Sequence, residues 1–148
     1  MTLIKGMCTE LDGYLKRNYA QEIVVVDAWR RETNRRLYNS FFVWQKSWGD
    51  RWRVGVEAQH NGFVGFVYGV KKTDQKGENC GELSRRLDAK SKGKASNWWD
   101  WYQDLEPPYA DWSSKDALLK MYDHSFHEEL GAKLKYLLEE VDAYCMNK

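Results

Sequence analysis

The sequence predicts an α+β fold: an antiparallel meander of about four strands, an N-terminal helix on one face, and C-terminal helices packed alongside. Three observations carry this. The segment Arg51-Trp52-Arg53-Val54-Gly55-Val56-Glu57-Ala58-Gln59 alternates strictly between polar and apolar, and side chains on a strand point to opposite faces with a period of two. Two turn signals bracket it: Gly49-Asp50, and Asn61-Gly62, whose residue types suit the positive φ angles of a tight hairpin. Finally, apolar residues near both ends recur at three- and four-residue intervals, the spacing of a helix stripe.

Taken in order, Thr2 suits the cap of a first helix in which Leu3, Met7, Leu11, Tyr14 and Leu15 share one face. Residues 23–29 are largely β-branched and read as a buried strand interrupted by Asp27. Residues 30–36 are polar and make a loop or a twisted strand end. Residues 37–46 resume as a strand carrying Phe41, Phe42, Val43 and Trp44. Residues 71–81 form a loop, 82–90 a short helix and 91–95 a basic connector. Trp98-Trp99-Asp100-Trp101-Tyr102 follows as an aromatic cluster, and Pro107-Pro108 imposes an extended turn. Ser113-Ser114-Lys115-Asp116 and Ser125-Phe126-His127-Glu128 resemble capping boxes, each opening a helix. The last helix places Phe126, Leu130, Leu134, Leu137, Leu138 and Val141 on one stripe and charges on its other faces.

At 148 residues the chain has the size of one domain. Its net charge of +1 hides two unlike parts: a basic, sheet-containing part, 1–94, with 18 Lys or Arg against 11 Asp or Glu, and an acidic, Trp-rich and helical part, 95–148, with 5 against 11. Either the two parts attract each other within one fold, or the basic part faces an anionic partner. Aromatics make up 15% of the chain and eight residues are Trp. That exceeds what a core of this size needs and points to ligand pockets, interfaces or base stacking. Cys8, Cys80 and Cys145 have no paired spacing, which argues against a disulfide framework or zinc knuckle and for a reducing cytoplasm. No window approaches the about 20 apolar residues of a membrane span, and no leader pattern opens the chain.

If both turns are two-residue loops, Glu57 faces Phe66, Gly55 faces Tyr68, and Trp44 faces Gly55 from the other side. Arg51, Arg53 and Lys72 then share a face with Trp44, Phe66 and Tyr68, with Glu57 and Gln59 as acceptors. The opposite face carries Phe41, Val43, Val56 and Val67, where Gly65 and Gly69 would let a helix approach closely. The basic and aromatic face suits a nucleotide-like or nucleic-acid ligand, because Arg recognises phosphate in a planar, bidentate way and rings stack on bases. The alternative is that C-terminal helices and the Trp98 cluster cover this face as a second core.

Several strings resemble the C-terminal part of bacterial and phage proteins of the PD-(D/E)XK nuclease superfamily. They are Phe41-Phe42-Val43-Trp44, Trp48-Gly49-Asp50-Arg51-Trp52, Arg53-Val54-Gly55-Val56-Glu57 and Phe66-Val67-Tyr68-Gly69-Val70, with residues 98–112 and the terminal helix. The likeness spans about residues 37–145. In those longer proteins the nuclease motif lies upstream of this tail, so the resemblance implies a non-catalytic accessory domain used alone.

Catalytic constellations are sparse. A metal nuclease needs converging carboxylates and a Lys. The nearest set is Asp27 with Glu57-Ala58-Gln59, where Gln59 replaces the Lys and Glu10 or Glu22 would add a ligand. His60, His124 and His127 lack a further ligand at zinc spacing. No nucleophile elbow or glycine-rich phosphate loop is present.

The sequence is therefore read as a non-enzymatic binding protein of prokaryotic or phage origin. Its ligand residues are Trp44, Arg51, Arg53, Glu57, Gln59, Phe66, Tyr68 and Lys72, with no cofactor, metal or membrane partner. By the resemblance, such a protein would sequester an immune nucleotide signal or counter a host defence. Two alternatives stand beside it. One is a protein inhibitor that meets its partner through Trp98, Trp99, Trp101, Asp100 and Asp104; the other is a metal-dependent or degenerate nuclease. Self-association is left open.

Overall fold

In the computed structural model the chain is described for residues 2–28, 39–60 and 62–147, the side chain of Thr2 excepted. The expectations for Trp29, the 30–36 loop, the strand start at residue 37, the Thr2 cap and Asn61 lie outside the described residues. The fold is α+β: an N-terminal helix, a five-stranded antiparallel sheet and C-terminal helices packed on it. The elements are α1 (Thr2–Asn18), β1 (Ile23–Ala28), β2 (Ser40–Gln45), a 3-10 turn (Lys46–Trp48), β3 (Trp52–Ala58), β4 (Phe66–Lys72), α2 (Gly81–Asp88), β5 (Trp99–Asp104), α3 (Lys115–Tyr122) and α4 (Phe126–Met146). The strands lie in chain order, β1 to β5.

The first and last helices form where their stripes predict, although Leu3 of the expected α1 stripe is 40% exposed and Ile4 is buried in its place. Met7, Leu11 and Leu15 of α1 and the full α4 stripe are buried. Ser114 caps α3 by accepting from the Ala117 amide. Lys16 and Arg17 close α1 with the charge sign that a helix C-terminus favours. The two long helices meet at Gly131, where a β-carbon would stand 2.5 Å from the Tyr14 ring. Among the described residues, no helix is long and apolar enough to cross a membrane.

The sheet differs from expectation in register, and loop length is the cause. Between β3 and β4 the amide of Gln59 donates to Gly65 and that of His60 to Val64, leaving three residues at the tip instead of two. Ala58 therefore pairs with Phe66, Glu57 with Val67, Val56 with Tyr68 and Gly55 with Gly69. A shift of one residue turns every side chain of a strand to the other face. Between β2 and β3 the 3-10 turn lengthens the connection, so Phe42, not Trp44, pairs with Gly55. That shift of two preserves the face of Trp44.

The fifth strand comes from the Trp98 cluster, which the sequence marks by its rings but not by clean alternation. It pairs with β4, with a bulge between Val70 and Lys71. The bulge re-aims Asp100 toward the core, where its carboxylate accepts from Trp52 Nε1 at 2.6 Å and from the Cys80 amide at 2.9 Å.

One sheet face carries the core. Phe41, Val43, Trp52, Val54, Val56, Ala58, Phe66, Tyr68, Val70 and Trp101 join the buried side chains of all four helices in one cluster. Phe66 stacks on Trp112 with centroids 3.8 Å apart, and Trp112 meets Phe126 edge-on. Residues of both the basic and the acidic part enter this cluster.

Candidate ligand-binding face

The other sheet face holds three rows of side chains that run across the strands. Register partners give the middle row Val26, Phe42, Gly55, Gly69 and Tyr102. On one side lie Val24 with Trp44, then Arg53, Lys71 and Trp99. On the other lie Ala28, Ser40, Glu57, Val67 and Asp104. Val67 and Trp99 are buried yet stand outside the main core cluster, so they belong to this face. Trp98 (43% exposed) and Val26 (50%) are open, and Phe42, Trp44 and Tyr102 are half-buried. Among the described residues, the buried side chains of the helices all pack on the opposite face.

The central glycines shape the floor. A β-carbon on Gly55 would stand 2.1 Å from the Phe41 carbonyl oxygen and 2.6 Å from Phe42 Cδ1; on Gly69 it would stand 2.2 Å from the Trp101 carbonyl oxygen. Only glycine permits that approach. Phe42 thereby comes within 6.1 Å of Trp99, and Trp99 within 5.8 Å of Tyr102, as ring centroids. The result is a low aromatic band crossing the sheet.

Cations are set into that band. The Arg53 guanidinium lies 3.7 Å above the Trp44 ring, close enough for cation–π attraction. Partial burial lowers its pKa from the ordinary value, with nearby Asp50 opposing. Lys71 Nζ stands 5.4 Å from Phe42, 5.4 Å from Trp98 and 5.5 Å from Trp99, and 2.6 Å from Glu57 Oε2. Lys94 sits 5.9 Å from Tyr102 and pairs with Asp104 at 3.1 Å.

Of the residues expected to bind ligand, Trp44, Arg53 and Glu57 come together here. Phe66, Tyr68 and Lys72 do not: the one-residue register change turns them to the helix-covered face, where all three are buried. Lys72 donates to the Gly77 carbonyl at 2.6 Å, and Tyr68 to Gln103 at 2.8 Å. Arg51 precedes β3 and lies over the Trp52 ring at 4.5 Å, and Gln59 is exposed in the hairpin connection. Gly69 and Val67, expected on the helix side, lie on the open face, and Gly65 precedes β4 with φ of 72°. Reasoning from sequence missed Phe42, Lys71, Lys94 and Tyr102 as members. Phe42 was legible, since it shares parity with Trp44; Lys71 and Tyr102 depended on the register.

The acidic alternative separates in the same way. Trp98 and Asp104 are exposed, but Asp100 is fully buried, Trp101 is in the core with Nε1 donating to Asp88 at 3.0 Å, and Trp99 is buried beneath Lys71. Asp100 and Trp101 therefore offer nothing to a docking protein. The nuclease pair separates too. Asp27 pairs with Phe41, which pairs with Val56, so Asp27 and Glu57 lie on opposite faces and cannot hold one ion. Among the described residues, no cluster of His, Cys, Asp and Glu is fit for a metal.

Two other polar clusters lie away from the open face. Glu10 of α1 lies 3.1 Å from His124 Nδ1 and 3.5 Å from His127 Nδ1, tying α1 to the α3–α4 junction, where His124 adopts φ of 60°. Asp142 of α4 accepts from the Tyr19 hydroxyl, from Gln45 Nε2 at 2.7 Å and from Trp48 Nε1 at 2.8 Å. Burial pushes its carboxyl up to about 6. A cleft of about 350 Å³ adjoins it, lined by Asn18, Tyr19, Glu139 and Met146 among others.

No family model, curated protein or solved structure matches this chain.

Proposed function

We propose that the protein is a non-enzymatic binding protein that takes single-stranded nucleic acid on the open face of its sheet. The observation that carries the reading is the band of exposed and half-buried rings Trp44, Phe42, Trp98 and Tyr102, seated on the buried Trp99, with Arg53 and Lys71 set within it, on the face that the helices leave uncovered among the described residues. Unpaired bases offer π-faces to such rings at about 1–3 kcal/mol per stacked base, and sugar-phosphate groups lie within reach of the cations. A band that spans several strands suits several bases in series better than one, which favours a strand over a mononucleotide. Duplex bases are already stacked and present no faces.

The charge on this face is modest. Arg53, Lys71 and Lys94 are set against Glu57 and Asp104, and the two lysines already have carboxylate partners. Affinity should therefore come mainly from stacking, with a shallow salt dependence near one phosphate's share, a log–log slope of about −0.7.

Fluorescence anisotropy of a labelled single-stranded oligonucleotide, with duplex and mononucleotide as competitors, tests the reading. Saturable binding displaced by single strand and weakened in Trp98→Ala is expected. Displacement by mononucleotide alone would assign the face to a small signal molecule. Binding by neither would overturn the proposal.

A further inference from the structure

The Lys71–Glu57 ion pair spans the middle row of the face. Glu57 pairs with Val67, and Lys71 pairs with Arg53, so the two charged residues lie on either side of the Gly55–Gly69 pair. The rows that hold Lys71 and Glu57 are separated by four residues of each strand, about 13 Å, so both side chains must lean inward over the glycine row. The Lys71 side chain therefore runs back along the sheet, over the one stretch without side chains, to place Nζ 2.6 Å from Glu57 Oε2. Any larger residue at Gly55 or Gly69 would stand in its path.

The surroundings fit an anion seat better than a stabilising contact. The pair is largely withdrawn from solvent, with side-chain exposures of 22% for Lys71 and 13% for Glu57. Withdrawing both charges costs desolvation that their attraction offsets only in part, whereas two aliphatic side chains would cover the same floor at no such cost. Three rings around Nζ hold the ammonium in place whichever anion it meets. Among the described residues, Lys71 is the one cation within salt-bridge distance of Glu57.

The geometry points to Glu57 as a resident stand-in for a ligand phosphate, and to Lys71 as the phosphate-recognising cation of the open face. The inference rests on the nucleic-acid reading of that face and deepens it. A phosphodiester carries one negative charge and hydrogen-bond-accepting oxygens, as the Glu57 carboxylate does. Binding exchanges one anion for the other at Nζ and turns Glu57 aside. Glu57 thus sets selectivity: a ligand that brings bases but no phosphate leaves the pair intact, and a phosphate-bearing ligand must compete with it.

Glu57→Gln tests this by removing the competitor while keeping the shape. The variant should bind a single-stranded oligonucleotide about tenfold more tightly at low salt, and its log–log salt slope should steepen by about 0.7, one phosphate's share. Its affinity for an uncharged nucleoside should not change. Adding Lys71→Gln to Glu57→Gln should abolish the gain. In the wild-type protein, the Lys71 Cε–Hε correlation in NMR should shift saturably with added oligonucleotide, a readout that does not depend on the variant folding. Wild-type binding that Glu57→Gln leaves unchanged in strength and slope, or a Lys71 signal that stays fixed at saturation, overturns this inference alone. Absence of oligonucleotide binding by wild type and variant overturns it together with the reading beneath it.

Discussion

The Arg53 guanidinium lies 3.7 Å above the ring of Trp44, although the two residues belong to different strands and the turn between them is longer than its Gly49-Asp50 signal suggests. The 3-10 turn moves β2 by two residues against β3, which keeps Trp44 on the same face and brings it beside Arg53. A planar guanidinium over indole donates through Nη1 to the Trp52 carbonyl at 3.0 Å and keeps further N–H donors for a ligand, whereas an ammonium cannot stack. Arg53→Lys should therefore lose most of the oligonucleotide affinity that Arg53→Ala loses, at least about fivefold, since the planar donor edge is what the face contributes. Thermal unfolding should change little in either variant. Equal affinity of wild type and Arg53→Lys would show that only charge matters there.

The glycine floor yields a stability prediction. A β-carbon at position 69 meets the Trp101 carbonyl oxygen at 2.2 Å and Tyr102 Cα at 2.7 Å, both backbone atoms that cannot rotate away. Gly69→Ala should lower the unfolding free energy by about 1–3 kcal/mol, the usual cost of overpacking, measured by urea denaturation. An unchanged midpoint would mean that β4 and β5 separate freely at this point.

These two relationships also mark where the sequence was legible. The helices were, because stripes such as Leu130, Leu134, Leu137 and Leu138 depend only on local spacing. The antiparallel meander was, through its turns and the alternation of β3. The faces of β4 were not, because Asn61-Gly62 announces a turn without stating whether two or three residues close it, and that one residue decides where Phe66 and Tyr68 point. The fifth strand escaped because its bulge at Asp100 breaks the period-two pattern.

Asp100 separates structure from docking. Its carboxylate is fully buried and accepts two donors, Trp52 Nε1 and the Cys80 amide. Asn supplies only one acceptor oxygen and points its own N–H groups at a donor. Asp100→Asn should cost about 1–3 kcal/mol of stability, with a changed near-ultraviolet signal from Trp52. A variant as stable as wild type would contradict the buried role.

Asp142 predicts a pH dependence. Burial raises its carboxyl to about 6 in the folded chain, above the roughly 3.9 of an unfolded Asp. The folded state therefore binds this proton more tightly, so the stability the group contributes is full below pH about 4 and is lost as pH rises through about 6. Because the side chain is partly exposed, solvent screening holds the effect to about 1 kcal/mol. Comparing unfolding free energies of wild type and Asp142→Asn from pH 4 to 7 should show the wild type losing ground over that window. Parallel curves would contradict the assignment.

The central claim is that ligand sits on the sheet face opposite the helices. Titration of a single-stranded oligonucleotide into isotopically labelled protein, followed by amide and indole NMR signals, tests it directly. The account predicts that the Trp44 and Trp98 indoles and the Gly55 and Gly69 amides shift together, while the Trp52 and Trp112 indoles, which face the core, stay in place. Shifts confined to the Tyr19–Asp142 cleft, or no shifts at all, would contradict it.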